Sequence, residues 1–238
     1  MRLLVTRPEP DGNTTAARLR SKGHDVIYDP MLRIAFEPPA PLPDGIQALA
    51  ATSANAVRAL AARADADIFR ALPLFTVGGA TARTASAEGF TSVVSADGNV
   101  DALHDLLVGR IDPAAGAVLY VCGRDRTGDL EIRLAGHGIS APLLVAYRAD
   151  GAERLAAETV TAIEDENLDA ILLYSRRTAG IFIRNLAAAG LLDKCRPCRA
   201  LCLSEAVAAP LVEQGFAATR IAARPDAASL EALLEENS

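Results

Sequence analysis

Short apolar runs and amphipathic stretches alternate along the whole chain. RLLVT is a compact apolar run, and GNTTAARLRSKG after it carries helical spacing that stops at Gly23. HDVIYDPMLRI reads as extended and interrupted by Pro30, and Pro38, Pro39, Pro41 and Pro43 mark a connection. Then IQALAATS runs into ANAVRALAARA, LPLFTVG into GATARTASAEG, and TSVVSA is followed by the helical VDALHDLLVGR. GAVLYVCG predicts a strand, RDRTGDLEIRLAGHG a helix, and ISAPLLVAYRAD an extended segment. The last part repeats the theme in LDAILLYS, RRTAGIFIRNLAAAG, RALCLS, EAVAAPLVEQG, ATRIAA and DAASLEALLEE. Such alternation predicts an α/β protein whose parallel sheets are covered on both faces, and apolar runs such as AILLY and AVLYV suit strands buried on both sides.

The pattern occurs twice. FTVGGATARTASAEGF (75–90) aligns with LCLSEAVAAPLVEQGF (201–216), placing Gly78 over Ser204, and TSANAVRAL (52–60) aligns with YSRRTAGIF (174–182), placing Ser53 over Ser175. LLVTRPEP followed by RLRSKGHDV resembles LYVCGRDR followed by IRLAGHGI. The order is therefore A, B, A′, B′. Either A packs with B, or A packs with B′ and the middle of the chain forms an inserted domain. The Pro-broken pieces at the ends of A and A′ favour the second arrangement, with two crossover strands side by side. The expected fold is two similar flavodoxin-like, three-layer αβα domains joined by a two-stranded linker. Residues 1–34 and 150–238 form the first domain, and residues 37–145 form the second, inserted in it.

Composition narrows the function. Charged residues make up 23% of the chain, the net charge is −6 and no long basic run exists, so no nucleic-acid partner is expected. Arg7 and Pro8 come too early for a secretory signal, and no apolar stretch is long enough to span a membrane. Four cysteines without a secretion signal suggest a reducing cytoplasm. CRPC (195–198) lacks further metal ligands and precedes an apolar run rather than opening a helix, so it reads as a surface-loop coincidence. Cys122 and Cys202 lie in apolar strands and are expected in the core.

Ligands of open parallel sheets bind outside the carboxyl ends of the strands. Those ends hold Thr6-Arg7, Thr52-Ser53, Gly78-Gly79, Gly123-Arg124, Ser175-Arg176-Arg177 and Ser204. Amides at a helix start lack intrahelical partners and accept carboxylate or phosphate, although each small residue alone also reads as an ordinary cap. Together they predict a set of anion sockets along a binding cleft. No GxGxxG, GxxxxGK[ST] or GxSxG occurs, so neither a nucleotide-dependent transferase nor a serine hydrolase is supported. His24, His104 and His137 read as structural. Tyr147, in the second crossover, is the one polar aromatic placed to donate a proton, since a phenol stays protonated at neutral pH.

LLVTRPEP, the PMLRI crossover, TSANAV, VGGATA with EGF, VCGRDR, VAYRA and the YS at Ser175, in this order, resemble the uroporphyrinogen-III synthase family over nearly the whole chain. The resemblance implies closure of hydroxymethylbilane, a flexible linear tetrapyrrole bearing eight carboxylates, with inversion of ring D and loss of water. It implies no metal and no organic cofactor. It makes Tyr147 the donor to the departing hydroxyl, and Thr81, Ser53 and Ser175 match the family's polar turn positions. Asn55 stands beside Ser53 without the basic residue some members carry, a gap Arg176 and Arg177 could fill. The second glycine-rich turn departs from the family: Ser204-Glu205-Ala206 stands where Gly-Pro is common, and Glu205 would repel a carboxylate. A monomer is expected. The rival reading is a non-catalytic anion-binding module on the same duplicated scaffold.

Overall fold

The structure is a computed structural model describing residues 1–126 and 128–235. In chain order it holds β1 (Arg2–Val5), α1 (Asp11–Ser21), β2 (Asp25–Tyr28), β3 (Leu32–Phe36), β4 (Ile46–Ala51), α2 (Ala54–Ala61), α3 (Ala66–Arg70) and β5 (Leu74–Thr76). There follow α4 (Gly79–Ala87), β6 (Val93–Ser95), α5 (Val100–Arg110), β7 (Ala117–Gly123), α6 (Leu130–Ala135) and β8 (Leu143–Gly151). The last part comprises α7 (Ala157–Glu164), β9 (Ala170–Leu173), α8 (Arg176–Ala188), α9 (Leu192–Cys195), β10 (Arg199–Cys202), α10 (Glu205–Glu213), β11 (Thr219–Ile221) and α11 (Ala227–Ala232).

The chain divides into two compact units, Met1–Arg33 with Asp150–Ser238 and Ile34–Ala149. Unit 1 contains a sheet of order β11-β10-β9-β1-β2, and unit 2 builds the sheet β3-β8-β7-β4-β5-β6. The pairings β1–β2, β1–β9, β9–β10 and β10–β11 are parallel, as are β4–β5, β4–β7, β5–β6 and β7–β8. With β3 set aside, the orders 11-10-9-1-2 and 6-5-4-7-8 superimpose, so A pairs with B′ and A′ with B. This is the insertion arrangement. Read along unit 1, the order is 2-1-3-4-5, the flavodoxin-like winding. The polypeptide passes between units within β3 and β8, neighbours at one edge of the larger sheet.

Burial explains the central strands. Leu3, Leu4 and Val5 of β1 and Ala170 to Leu173 of β9 are fully buried, as parallel strands covered on both faces must be. In unit 2 one apolar cluster gathers Leu49, Phe69, Leu119 and Val121, and a second gathers Ala50, Leu103, Val118 and Tyr120, so alternate residues of β4 and β7 feed opposite faces. The repeat extends to helix ends. Gly89 and Gly215 follow α4 and α10 at φ 89° and 83°, a conformation that favours glycine. Beside each, an arginine donates to the last turn: Arg70 Nε to Glu88 O (2.9 Å) and Arg196 Nε to Gln214 O (2.7 Å).

Some local expectations change. The helix expected across 124–138 shrinks to Leu130–Ala135, because Gly123-Arg124 leads into irregular chain, not a helix start. The short helices α3 and α9, and α7, carry too little periodicity to be read from sequence. His104 is buried, with Nδ1 2.9 Å from Asp105 Oδ1 and its ring edge-to-face with His137, a structural pairing. No helix among the described residues is long and apolar enough to cross a membrane.

Asp29, just past β2, shows how unit 1 is tied together. Its buried Oδ2 accepts from the Ala156 N–H (2.8 Å) and from Thr159 Oγ1 (2.7 Å). It thereby caps α7, whose own N-cap residue, Ala156, has no side chain to do so. Asp29→Ala is expected to cost about 1–3 kcal/mol by leaving both donors unsatisfied, read as a lower urea midpoint.

Candidate active site

In a flavodoxin-like sheet, ligands bind where the strand order reverses, outside the carboxyl ends. In unit 2 that point lies between β7 and β4, so Gly123-Arg124 and Thr52-Ser53 emerge side by side. Ser53 is the N-cap of α2, its Oγ accepting from the Ala56 N–H at 3.2 Å. Tyr147 reaches this point from β8. A register irregularity between Cys122 and Gly123 sets Tyr147 opposite Gly123. The phenol oxygen then lies 2.9 Å from Ser53 Oγ, while the Arg124 N–H donates to the Tyr147 carbonyl at 2.8 Å. The ring lies directly over Gly123: a Cβ there would stand 2.7 Å from Cζ and 2.9 Å from the phenol oxygen. Gly123 is thus a berth for Tyr147 as well as a strand-end glycine. Thr52 Oγ1 is 3.5 Å from the Tyr120 phenol, whose pKa is raised above its ordinary value mainly by burial.

Charge at this junction comes partly from a residue the sequence reading missed. Glu37 is nearly buried, and its N–H donates to the Ala146 carbonyl at 2.9 Å, one residue before Tyr147. Its Oε1 lies 2.8 Å from Arg124 Nη2, off the N–H direction, and 3.9 Å from Arg148 Nη1. Arg124 therefore has an anionic neighbour while its side chain stays largely exposed. Glu37 sits in the AFEPPA connection, where neither periodicity nor a motif marks it.

In unit 1 the reversal lies between β1 and β9. Thr6 Oγ1 donates to the Leu172 carbonyl at 2.7 Å, tying the strand ends together. Arg7 lies 4.5 Å over the Tyr174 ring and pairs with Asp11 at 2.9 Å. It is held by both and does not open a helix, since α1 begins at Asp11. Burial pushes the Tyr174 phenol to about 12, so it stays neutral. Ser175 is the N-cap of α8, accepting from the Thr178 N–H at 3.1 Å, with Arg176 and Arg177 exposed on the first turn.

The glycine-rich turn and its counterpart share a backbone. Gly78 (φ −162°, ψ 166°) and Ser204 (φ −160°, ψ 169°) are the N-caps of α4 and α10, and neither helix receives a side-chain cap bond. These angles are extended, so serine replaces glycine without strain. No atom lies within 4 Å of a Cβ built at Gly78, and one at Gly79 would meet only ordinary contacts, with Arg83 and Asp97. Thr81 is buried in the first turn of α4. Glu205 occupies the first turn of α10, where its charge opposes an incoming anion. Asn55 turns its carbonyl to Arg58 Nη1 at 3.0 Å. Ser53 and Ser175 thus cap their helices, Arg7 and Arg124 are ion-paired, and Gly78 and Ser204 lead helices with no side-chain cap. Tyr147, Ser53, Gly123 and Arg124 converge at one point of unit 2, whereas Arg7, Ser175, Arg176 and Arg177 follow the strand ends of unit 1.

The profile of uroporphyrinogen-III synthase HemD matches residues 13–232. The chain belongs to the uroporphyrinogen-III synthase family. Uroporphyrinogen-III synthases are hydro-lyases of tetrapyrrole biosynthesis. The fold is similar to a crystal structure of uroporphyrinogen-III synthetase from Helicobacter pylori, with TM-score 0.67 and 18% identity over 100% of this chain and 99% of that one. It is also similar to a mutant uroporphyrinogen III synthase from Thermus thermophilus, with TM-score 0.55 and 17% identity over 99% and 98% of the two chains. No curated protein sequence matches this chain.

In a uroporphyrinogen-III synthase built this way, Gly123→Ala must push the phenol off its berth. The expected outcome is a loss of about 1–3 kcal/mol in urea denaturation and slower formation of the III isomer, with the Tyr147 ring displaced in a crystal structure of the variant.

Proposed function

We propose that this chain closes hydroxymethylbilane to uroporphyrinogen III, with Tyr147 as the proton donor. The observation that supports the reading is the Tyr147–Ser53 contact over Gly123 at the sheet's reversal point. Ser53 Oγ already accepts the Ala56 N–H, so its own proton is available to the phenol oxygen. In this reading Ser53 donates to the phenol oxygen, which leaves the Tyr147 proton free for the substrate and strengthens it as a donor.

The reaction needs one assisted departure and then control of geometry. As the ring A hydroxyl leaves, Tyr147 donates its proton to it and water is released, while the pyrrole N–H proton passes through solvent back to the phenolate, leaving an azafulvene and a neutral Tyr147. Ring D attacks through its substituted carbon to form a spiro intermediate, which breaks and recloses with ring D inverted. Unassisted closure gives the type I isomer, so the protein's main task is to decide which carbon is reached. Each tenfold preference is only about 1.4 kcal/mol of barrier difference. In this reading the substrate carboxylates are taken by the helix starts after Ser53, Gly78-Gly79, Thr81 and Ser175, by Arg176 and Arg177, and by Arg124. Arg7, Thr52, Asn55 and Ser204 support the same rims. Glu37 acts through Arg124, holding the guanidinium beside the Tyr147 strand. The chain works as a cytoplasmic monomer.

The deciding assay supplies enzymatically generated hydroxymethylbilane and separates the oxidised porphyrins by chromatography. The expected product is the III isomer; type I alone, with folded protein present, rejects the proposal and leaves the anion-binding module. Tyr147→Phe is expected to lower kcat by about 100-fold with folding intact, and an unchanged kcat would remove its role as donor. Glu37→Gln is expected to raise KM roughly tenfold with kcat nearly unchanged, and Glu37→Asp to recover part of that loss.

A further inference from the structure

The CRPC segment, expected in a surface loop, is partly buried. Cys195 is the last residue of α9 and fully buried, while Cys198 is half-buried just before β10. The Cys198 N–H donates to the Cys195 carbonyl at 3.0 Å, closing a turn. A turn of this kind brings its first and last Cα within about 7 Å, and a disulfide needs about 4.4–6.8 Å. The two thiols lie close enough to perturb each other's ionisation. The segment is anchored on both sides, by Lys194 Nζ on the Glu164 carbonyl (3.0 Å) and Arg196 Nε on the Gln214 carbonyl (2.7 Å). Bridging the sulfurs therefore asks little of the backbone.

We propose that Cys195 and Cys198 are a reversible dithiol–disulfide site, oxidised by a hydroperoxide and located at the opposite end of β10 from Ser204. The thiols divide the labour. The neighbouring Cys195 thiol holds the half-buried Cys198 below the ordinary thiol pKa, whereas Cys198 and burial hold Cys195 well above it. Cys198 is the nucleophile because it is the half-buried thiol that a peroxide can reach, whereas Cys195 is fully buried. Its sulfur attacks one peroxide oxygen, the O–O bond breaks, and Cys198 becomes a sulfenic acid as an alcohol, or water, leaves. Cys195 then attacks the Cys198 sulfur, the S–O bond breaks, and water departs as the disulfide forms. Two electrons pass from the thiols to the peroxide, and a dithiol reductant reverses the change. Cys122 and Cys202 lie buried in β7 and β10 with thiols raised by burial, Cys202 to about 12, and take no part.

The test treats the reduced full chain with stoichiometric hydrogen peroxide, denatures it in N-ethylmaleimide and digests it with trypsin. Cleavage after Lys194 and Arg199 releases residues 195–199 intact, because Pro197 protects the bond after Arg196. The expected peptide is two hydrogens lighter than the reduced form, unlabelled, and converted to a doubly labelled form by prior reduction with dithiothreitol. Cys195→Ser is expected to leave a Cys198 sulfenic acid that dimedone captures, and Cys198→Ser to take up no dimedone. Double labelling after peroxide, a Cys198 sulfinic acid without a bridge, or a disulfide to Cys122, Cys202 or a second chain would each overturn the proposal. The wild-type result stands by itself if either variant fails to fold.

Discussion

The parallel pairing of β4 with β7 brings together the strand ends on which the Tyr147 junction is built. Leu49, Ala50 and Ala51 run beside Leu119, Tyr120 and Val121, so Ser53 and Gly123, distant in sequence, leave the sheet together. Both strands are buried on both faces, and a slip of one residue would exchange the two apolar clusters they feed. Packing thus fixes the register, and the register fixes the polar end. The irregularity between β7 and β8 then moves Tyr147 from a regular ladder position to a place over Gly123, the re-aiming that bulges perform beside functional sites.

The strand ends show two ways of starting a helix. Ser53 and Ser175, at nearly the same backbone angles, satisfy an amide of their own helix with a side chain. Gly78 and Ser204 do not, which leaves the first amides of α4 and α10 without that partner. The two halves share the backbone at both pairs, and at Gly78 and Ser204 they differ electrostatically. A first-turn carboxylate at Glu205 suits the helix dipole and opposes a bound anion, whereas α4 has no acidic residue in its first turn.

Much of this was legible in the sequence because burial writes a strong pattern. Runs such as AVLYV and AILL, the repeated Gly-Phe after α4 and α10, and the aligned serines led to two similar parallel sheets. The misses share a cause. Glu37 matters through an ion pair with a residue far along the chain, and no periodicity records that. Arg7 also pairs with Asp11 and lies over the Tyr174 ring, contacts that the strand-end pattern does not record. The helix expected after Gly123 begins later because GRDRTGD holds turn formers at its start, and apolar spacing resumes only at Leu130. The bulge at Tyr147 is a pairing property and leaves no trace in one strand alone.

The split composition of unit 1 also sets an order of events on the ribosome. β1 is synthesised well before its partner β9, which begins at Ala170. At about 5–20 residues per second, the apolar LLV segment waits on the order of ten to thirty seconds for its neighbour. Meanwhile the whole of unit 2, Ile34–Ala149, has emerged and can collapse on its own core. The β1–β2 pair therefore keeps one edge of β1 open until β9 is made.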